Sequence, residues 1–176
     1  ERYGNMLAAG VEEALKKPLK PVGPGLRMAF AYVDLPYLHV MTREELQAAA
    51  SDRNEIRQRW AKRLLAKLDA GERFAPAYPY PVHAWRLGKE MLVIGTGAET
   101  VVDYALRFKG RYGWDDTWVA GYSNDVFAYI PSLRVLREGG YEGGGAMLFG
   151  TLPGAFAEDV EEIISNAVEQ AASAVR

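Results

Sequence analysis

The chain contains no cysteine, so disulfides, thiolate metal sites and cysteine nucleophiles are excluded. Histidine is scarce: His39 and His83 are the only two, too few to assemble a multi-histidine metal site unaided. No uninterrupted apolar run is long enough to span a bilayer, and no signal-peptide pattern opens the chain. Charge of either sign is not in excess. A formal net charge of -2 gives no electrostatic reason to expect nucleic acid or an anionic membrane as partner. What is present is ordinary globular usage, 49% apolar and 25% charged, enough for a real core in one domain's worth of 176 residues. The first residue, Glu1, already stands inside a helical pattern, and we expect the chain to be a piece of something longer.

Along the chain, Met6, Leu7, Val11, Ala14 and Leu15 form one stripe at helical spacing, ended by Pro18, Pro21 and Pro24. Residues 26–37 alternate, with Leu26, Met28, Phe30 and Tyr32 in one register, and read as a strand. Thr42 and Glu45 form a capping box for a long helix to about Ala70, with Ser51-Asp52 as its one interruption and Gly71 as its C-cap. The proline-rich "FAPAYPYPV" reads as extended loop. A hairpin follows, Val82–Leu87 and Glu90–Gly95, turning at Gly88-Lys89, and Met91 to Ile94 are apolar on both faces, as in a central buried strand. Then come a helix from Glu99 to about Lys109 with Val101, Val102, Ala105, Leu106 and Phe108 inward, a strand over 117–121, a short helix over 132–137 and a terminal helix with an acidic first turn. Helices interleaved with strands predict an α/β fold, a layered sheet flanked by helices.

Two places have the form of a site. In "VIGTGAET" a buried strand ends in glycines and Glu99 follows, at the strand-end position where open α/β sheets collect ligands. Glu99 reads equally as a helix-entrance carboxylate that balances the dipole. A dinucleotide fingerprint at Gly95-Thr96-Gly97 lacks its third glycine. The second place is "GYSNDVFAYIPS". If strand 117–121 neighbours strand 91–95, both ends open on one edge and the 122–130 loop approaches Glu99. A phenol beside a carboxylate can bind a metal or donate to an oxyanion, and a half-buried tyrosine reaching water is the alternative. Glycines 139, 140 and 143 to 145 read equally as a flexible turn.

Over roughly residues 90–150, the segments "GAET", "NDVFAYI" and "GGYEGG" together resemble the C-terminal part of the catalytic domain of neutral/alkaline (non-lysosomal) ceramidases. Tyr141 follows Tyr129 by twelve positions and Asn124 precedes it by five, as in that family's N-x-Y-x-x-Y and Y-E-G segments. The sequence departs from the pattern at Val126, at Pro131-Ser132 and at Gly97-Ala98. The resemblance implies a fragment of a larger α/β hydrolase domain that cleaves an N-acyl amide such as ceramide with one zinc ion. It makes Glu99 and Tyr129 zinc ligands, Tyr141 the donor to the developing oxyanion and Asn124 a substrate contact. Residues 1–176 would be the C-terminal half of that domain, inactive alone and holding no zinc tightly, because the remaining ligands would lie on the missing N-terminal half. The implied partners are that half and a lipid-like amide substrate, with no nucleic acid and no transmembrane segment, in a secreted or extracytoplasmic setting. His39 and His83 lie outside the family's histidine motifs. The competing readings are a non-catalytic α/β module that binds a ligand or partner, and a hydrolase of the same fold acting on another amide or ester.

Overall fold

A computed structural model describes residues 1–176 as a mixed α/β fold with a small mixed sheet and helices. Four strands pair in the order β1 (Leu26–Pro36), β2 (Ala77–Leu87), β3 (Met91–Thr96) and β5 (Thr117–Ala120). The first two pairings are antiparallel and the last, β3 with β5, is parallel. A second, two-stranded sheet joins β4 (Glu99–Thr100) to β6 (Tyr129–Ile130). Helix α4 (Val102–Tyr112) packs on β5, the short α5 (Leu133–Glu138) follows β6, and α6 (Val160–Ala174) crosses β1, β2 and β3. Helices α4 and α6 lie on the same sheet face, since Arg107 of α4 pairs with Glu161 and Glu162 of α6. In α6, Val160, Ile164, Val168 and Ala172 recur every fourth residue and are all buried, meeting Val82, Ala84, Leu92 and Ile94 from the sheet. No helix is long and apolar enough to cross a membrane.

Several expectations change. The long helix is two, α2 (Arg43–Ala49) and α3 (Glu55–Asp69), because Asn54 caps α3 with its own side chain. The capping box at Thr42 and Glu45 forms. Together α2 and α3 close a small separate core around Leu46, Trp60 and Leu64. The proline-rich segment is not a loop: Pro79 and Pro81 lie within β2. They are tolerated there because β3 pairs with β2 only from Val82 onward, so the strand has one neighbour at those residues and a missing N–H interrupts no second ladder. Helix α4 starts at Val102 rather than Glu99. Its inner residues are Tyr104 and Phe108, while Val102 and Leu106 face solvent.

The register of β1 has Leu26, Met28, Phe30 and Tyr32 together, but on the uncovered side of the sheet. That face continues through Trp85, Val93 and Trp118, directly paired across the strands. Strand β3 is therefore central but covered on one face only: Leu92 and Ile94 are buried, while Met91 and Val93 are half-buried. Helix α1 (Arg2–Leu15) buries none of its residues. Stability should thus be concentrated on the α6 side. Truncating Leu92 to Ala should cost about 2–5 kcal/mol, and Trp118→Ala, whose indole is 61% exposed, no more than about 0.5 kcal/mol. Urea unfolding of the two variants checks this, and equal costs would place the core elsewhere.

Candidate functional site

The carboxyl ends of β3 and β5 are tied together before either chain turns away. The buried hydroxyl of Thr96 lies 3.3 Å from both the Thr100 hydroxyl and the Ala120 carbonyl. Ser123 N–H donates to Thr96 O at 3.0 Å, Tyr122 N–H to Ala98 O at 2.7 Å, and Ala98 N–H to Asp125 O at 2.6 Å. This lacing holds Ala98, Tyr122 and Asn124 at φ of 56°, 56° and 70°. Those are left-handed conformations that cost a non-glycine residue about 1 kcal/mol each, and they are the only non-glycine residues in the chain with positive φ. Backbone strain concentrated in two touching loops marks a place that the rest of the fold over-determines.

From there the chain enters β4. Glu99 N–H donates to Ala128 O at 3.0 Å and Val101 N–H to Ile130 O at 3.2 Å, placing Glu99 in register with Tyr129. These bonds explain why no helix begins at Glu99: the N–H groups that a first turn would leave free are already taken by β6, and Val101 stays extended as N-cap. The expected dipole contact of Glu99 therefore does not form. Tyr141 reaches the same place through the glycine tract. Gly139 and Gly140 adopt φ of 73° and 74°, and Gly143 packs so closely on the carbonyls of Val135 and Gly139 that no side chain fits. The tract thus forms a defined turn that only glycine accommodates at Gly143. The Tyr141 ring stands 5.5 Å from that of Tyr129, edge to face, and 6.0 Å from that of Phe149.

Glu99, Tyr129 and Tyr141 line one open cleft of about 650 Å³, otherwise largely apolar, with Val126, Phe127, Phe149 and Leu152 among its walls. Arg63 from α3 fastens one wall by donating to Leu148 O and Gly150 O at 2.8 and 3.2 Å. Behind the Glu99–Tyr129 pair lies a second, polar cleft of about 440 Å³ lined by Asp103, Arg134, Glu138 and Glu142. Arg134 is held there by Asp103 and Glu138, both at 2.9 Å, and the Asp103 carboxyl sits below its ordinary pKa because of Arg134 and the Ser132 hydroxyl.

The proximity of the Glu99 carboxylate, with some loss of solvent, pushes the pKa of the Tyr129 phenol up to about 12. A second phenol, Tyr122, feels the same carboxylate, and its pKa is raised for the same reason. Sequence reasoning missed Tyr122, although its place one residue beyond the strand-ending Gly121 was a signal for it. Asn124 is not brought to the cleft. Its left-handed backbone turns it toward His83, while the neighbouring Asp125 accepts a hydrogen bond from Tyr78. His83 lies on the open sheet face, over Gly95, where an added Cβ would overlap its ring. Its Nδ1 accepts from Trp85 Nε1 at 2.7 Å, and its buried Nε2 has no partner at hydrogen-bonding geometry. The nearby Asn124 amide opposes, without overcoming, the desolvation that lowers the ring's pKa.

As a zinc set the donors are incomplete. Glu99 and Tyr129 are oxygen donors of a kind zinc accepts, but no three His, Cys, Asp or Glu side chains converge anywhere in the chain. His39 is engaged 2.7 Å from Glu45. Comparison with protein-family profiles, with curated proteins and with solved structures finds no match.

A phenol whose pKa is raised on folding stabilises the fold fully below the unfolded value near 10, and that contribution is lost as pH rises through the folded value, about 12. Absorbance titration of the tyrosinate band should show a late-ionising phenol that returns toward 10 in Glu99→Gln. An unchanged titration curve in that variant would show that the carboxylate does not act on the phenol.

Proposed function

We propose that this chain is the C-terminal half of the catalytic domain of a zinc-dependent amidohydrolase resembling the neutral ceramidases, acting on an N-acyl amide of lipid type. The observation that carries the reading is the convergence of Glu99, Tyr129 and Tyr141 on one cleft. The cleft's apolar walls suit an alkyl chain. In this reading Glu99 and Tyr129 supply two of the zinc ligands, and a segment outside this chain supplies the others. The metal, when bound, would polarise the amide carbonyl. Tyr141, whose phenol is not committed to a carboxylate, donates to the oxygen that gains charge. The Glu99 carboxylate beside it keeps the Tyr129 phenol protonated until a cation competes for both oxygens. The uncovered apolar sheet face supports the same reading, because contiguous exposed apolar side chains mark a surface that another segment covers.

The test uses the intact protein that contains this chain. It should retain zinc on purification and release fatty acid from an N-acylsphingosine substrate. Tyr141→Phe should lower kcat by roughly 10²–10³-fold with little change in zinc content, whereas Glu99→Ala and Tyr129→Phe should lower zinc content itself. A folded intact protein that holds no zinc and hydrolyses no amide would contradict the proposal. Loss of zinc alongside turnover of another amide or ester would redirect it to a different hydrolase.

A further inference from the structure

At the opposite end of the sheet the chain gathers positive charge. Arg27 of β1 and Arg86 of β2 are direct cross-strand partners, Lys89 follows in the β2–β3 turn, and Arg176 arrives from the end of α6. The four side chains line a shallow hollow of about 370 Å³ that contains no apolar and no acidic residue. None of them takes part in an ion pair, in a structure where Arg107, Arg111, Arg134 and Arg137 each hold a carboxylate. Glu90, the acidic residue next in sequence, is turned to the connector before β1, where it accepts from Gly23 N–H and Lys89 N–H at 3.0 and 2.9 Å.

Part of this arrangement is structural. Arg27 Nε donates to Val175 O at 3.1 Å and so satisfies an end carbonyl of α6. One cation is enough for that. Arg86, Lys89 and Arg176 have no side-chain hydrogen bond to protein, and an Arg directly opposite an Arg on paired strands works against the pairing. Guanidinium groups present paired donors that match the oxygens of phosphate, and a lysine adds a point charge. We propose that Arg27, Arg86, Lys89 and Arg176 form a binding site for a phosphate monoester. The site is separate from the Glu99–Tyr129 cleft: the six residues of β3, on the order of 20 Å, stand between the two. It is independent of the proposed hydrolase reading.

The phosphate has two sources, a soluble ester or a lipid headgroup. Calorimetric titration of the chain with glycerol phosphate, and co-sedimentation with phosphatidylcholine vesicles with and without phosphatidic acid, separate them. Binding of glycerol phosphate assigns a soluble ester; binding to phosphatidic acid vesicles alone assigns the headgroup. In either case Arg86→Gln and Lys89→Gln should each weaken binding about tenfold or more. Arg86→Gln should also raise the unfolding temperature of the free protein by about 1–3 °C, because it removes the opposed like charge. No binding in either arm, binding unchanged in both variants, or a lowered unfolding temperature in Arg86→Gln would overturn the assignment.

Discussion

Two backbone hydrogen bonds, from Glu99 to Ala128 and from Val101 to Ile130, decide what this molecule can do. They turn a loop after β3 into a two-residue strand and set Glu99 beside Tyr129, and the delayed start of α4 follows from the same bonds. Without them Glu99 would enter the first turn of a helix and serve the dipole, and the cleft would lose its one carboxylate. The pairing is short, so it depends on the lacing beneath it. Thr96, Ala98, Tyr122 and Ser123 exchange enough hydrogen bonds to keep three non-glycine residues in left-handed conformations.

The sheet divides the molecule into a finished side and an open side. Helices α4 and α6 bury the face of Val82, Leu92 and Ile94, and that burial holds the carboxyl ends of β3 and β5 in register for the site. The opposite face shows Met28, Phe30, Tyr32, Val93 and Trp118 in directly paired rows, with His83 laid over Gly95 among them. Helix α1 likewise carries an apolar stripe and buries none of its residues. The two ends of the strands differ in charge: carboxylate and phenols at one, guanidinium groups at the other.

Much of this was legible in the residues. The hairpin at Gly88-Lys89, the capping box at Thr42, the parallel neighbourhood of β3 and β5, and the approach of the 122–130 loop to Glu99 follow from periodicity, cap chemistry and the rule that consecutive strands are neighbours. What was not legible depends on tertiary context. Prolines at 79 and 81 argue against a strand until it is known that β3 stops short of them. An alternating pattern such as that of β1 shows that two faces differ but not which one is covered, and here the larger side chains take the open one. Asn124 follows the family spacing and still faces His83, because one left-handed residue redirects a side chain in a way that spacing cannot express. The basic cluster was invisible for a simpler reason: a net charge of -2 averages over residues that the fold brings together from three separate stretches.

The most direct measurement is a set of proton–proton contacts in the solution NMR spectrum of the chain. Cross-strand contacts should link Glu99 to Tyr129 and Val101 to Ile130, together with ring contacts between Tyr129 and Tyr141. If a spectrum that shows the β3–β5 pairing intact lacks all three, or shows helical contacts beginning at Glu99, the carboxylate and the phenols do not share a site and the account fails.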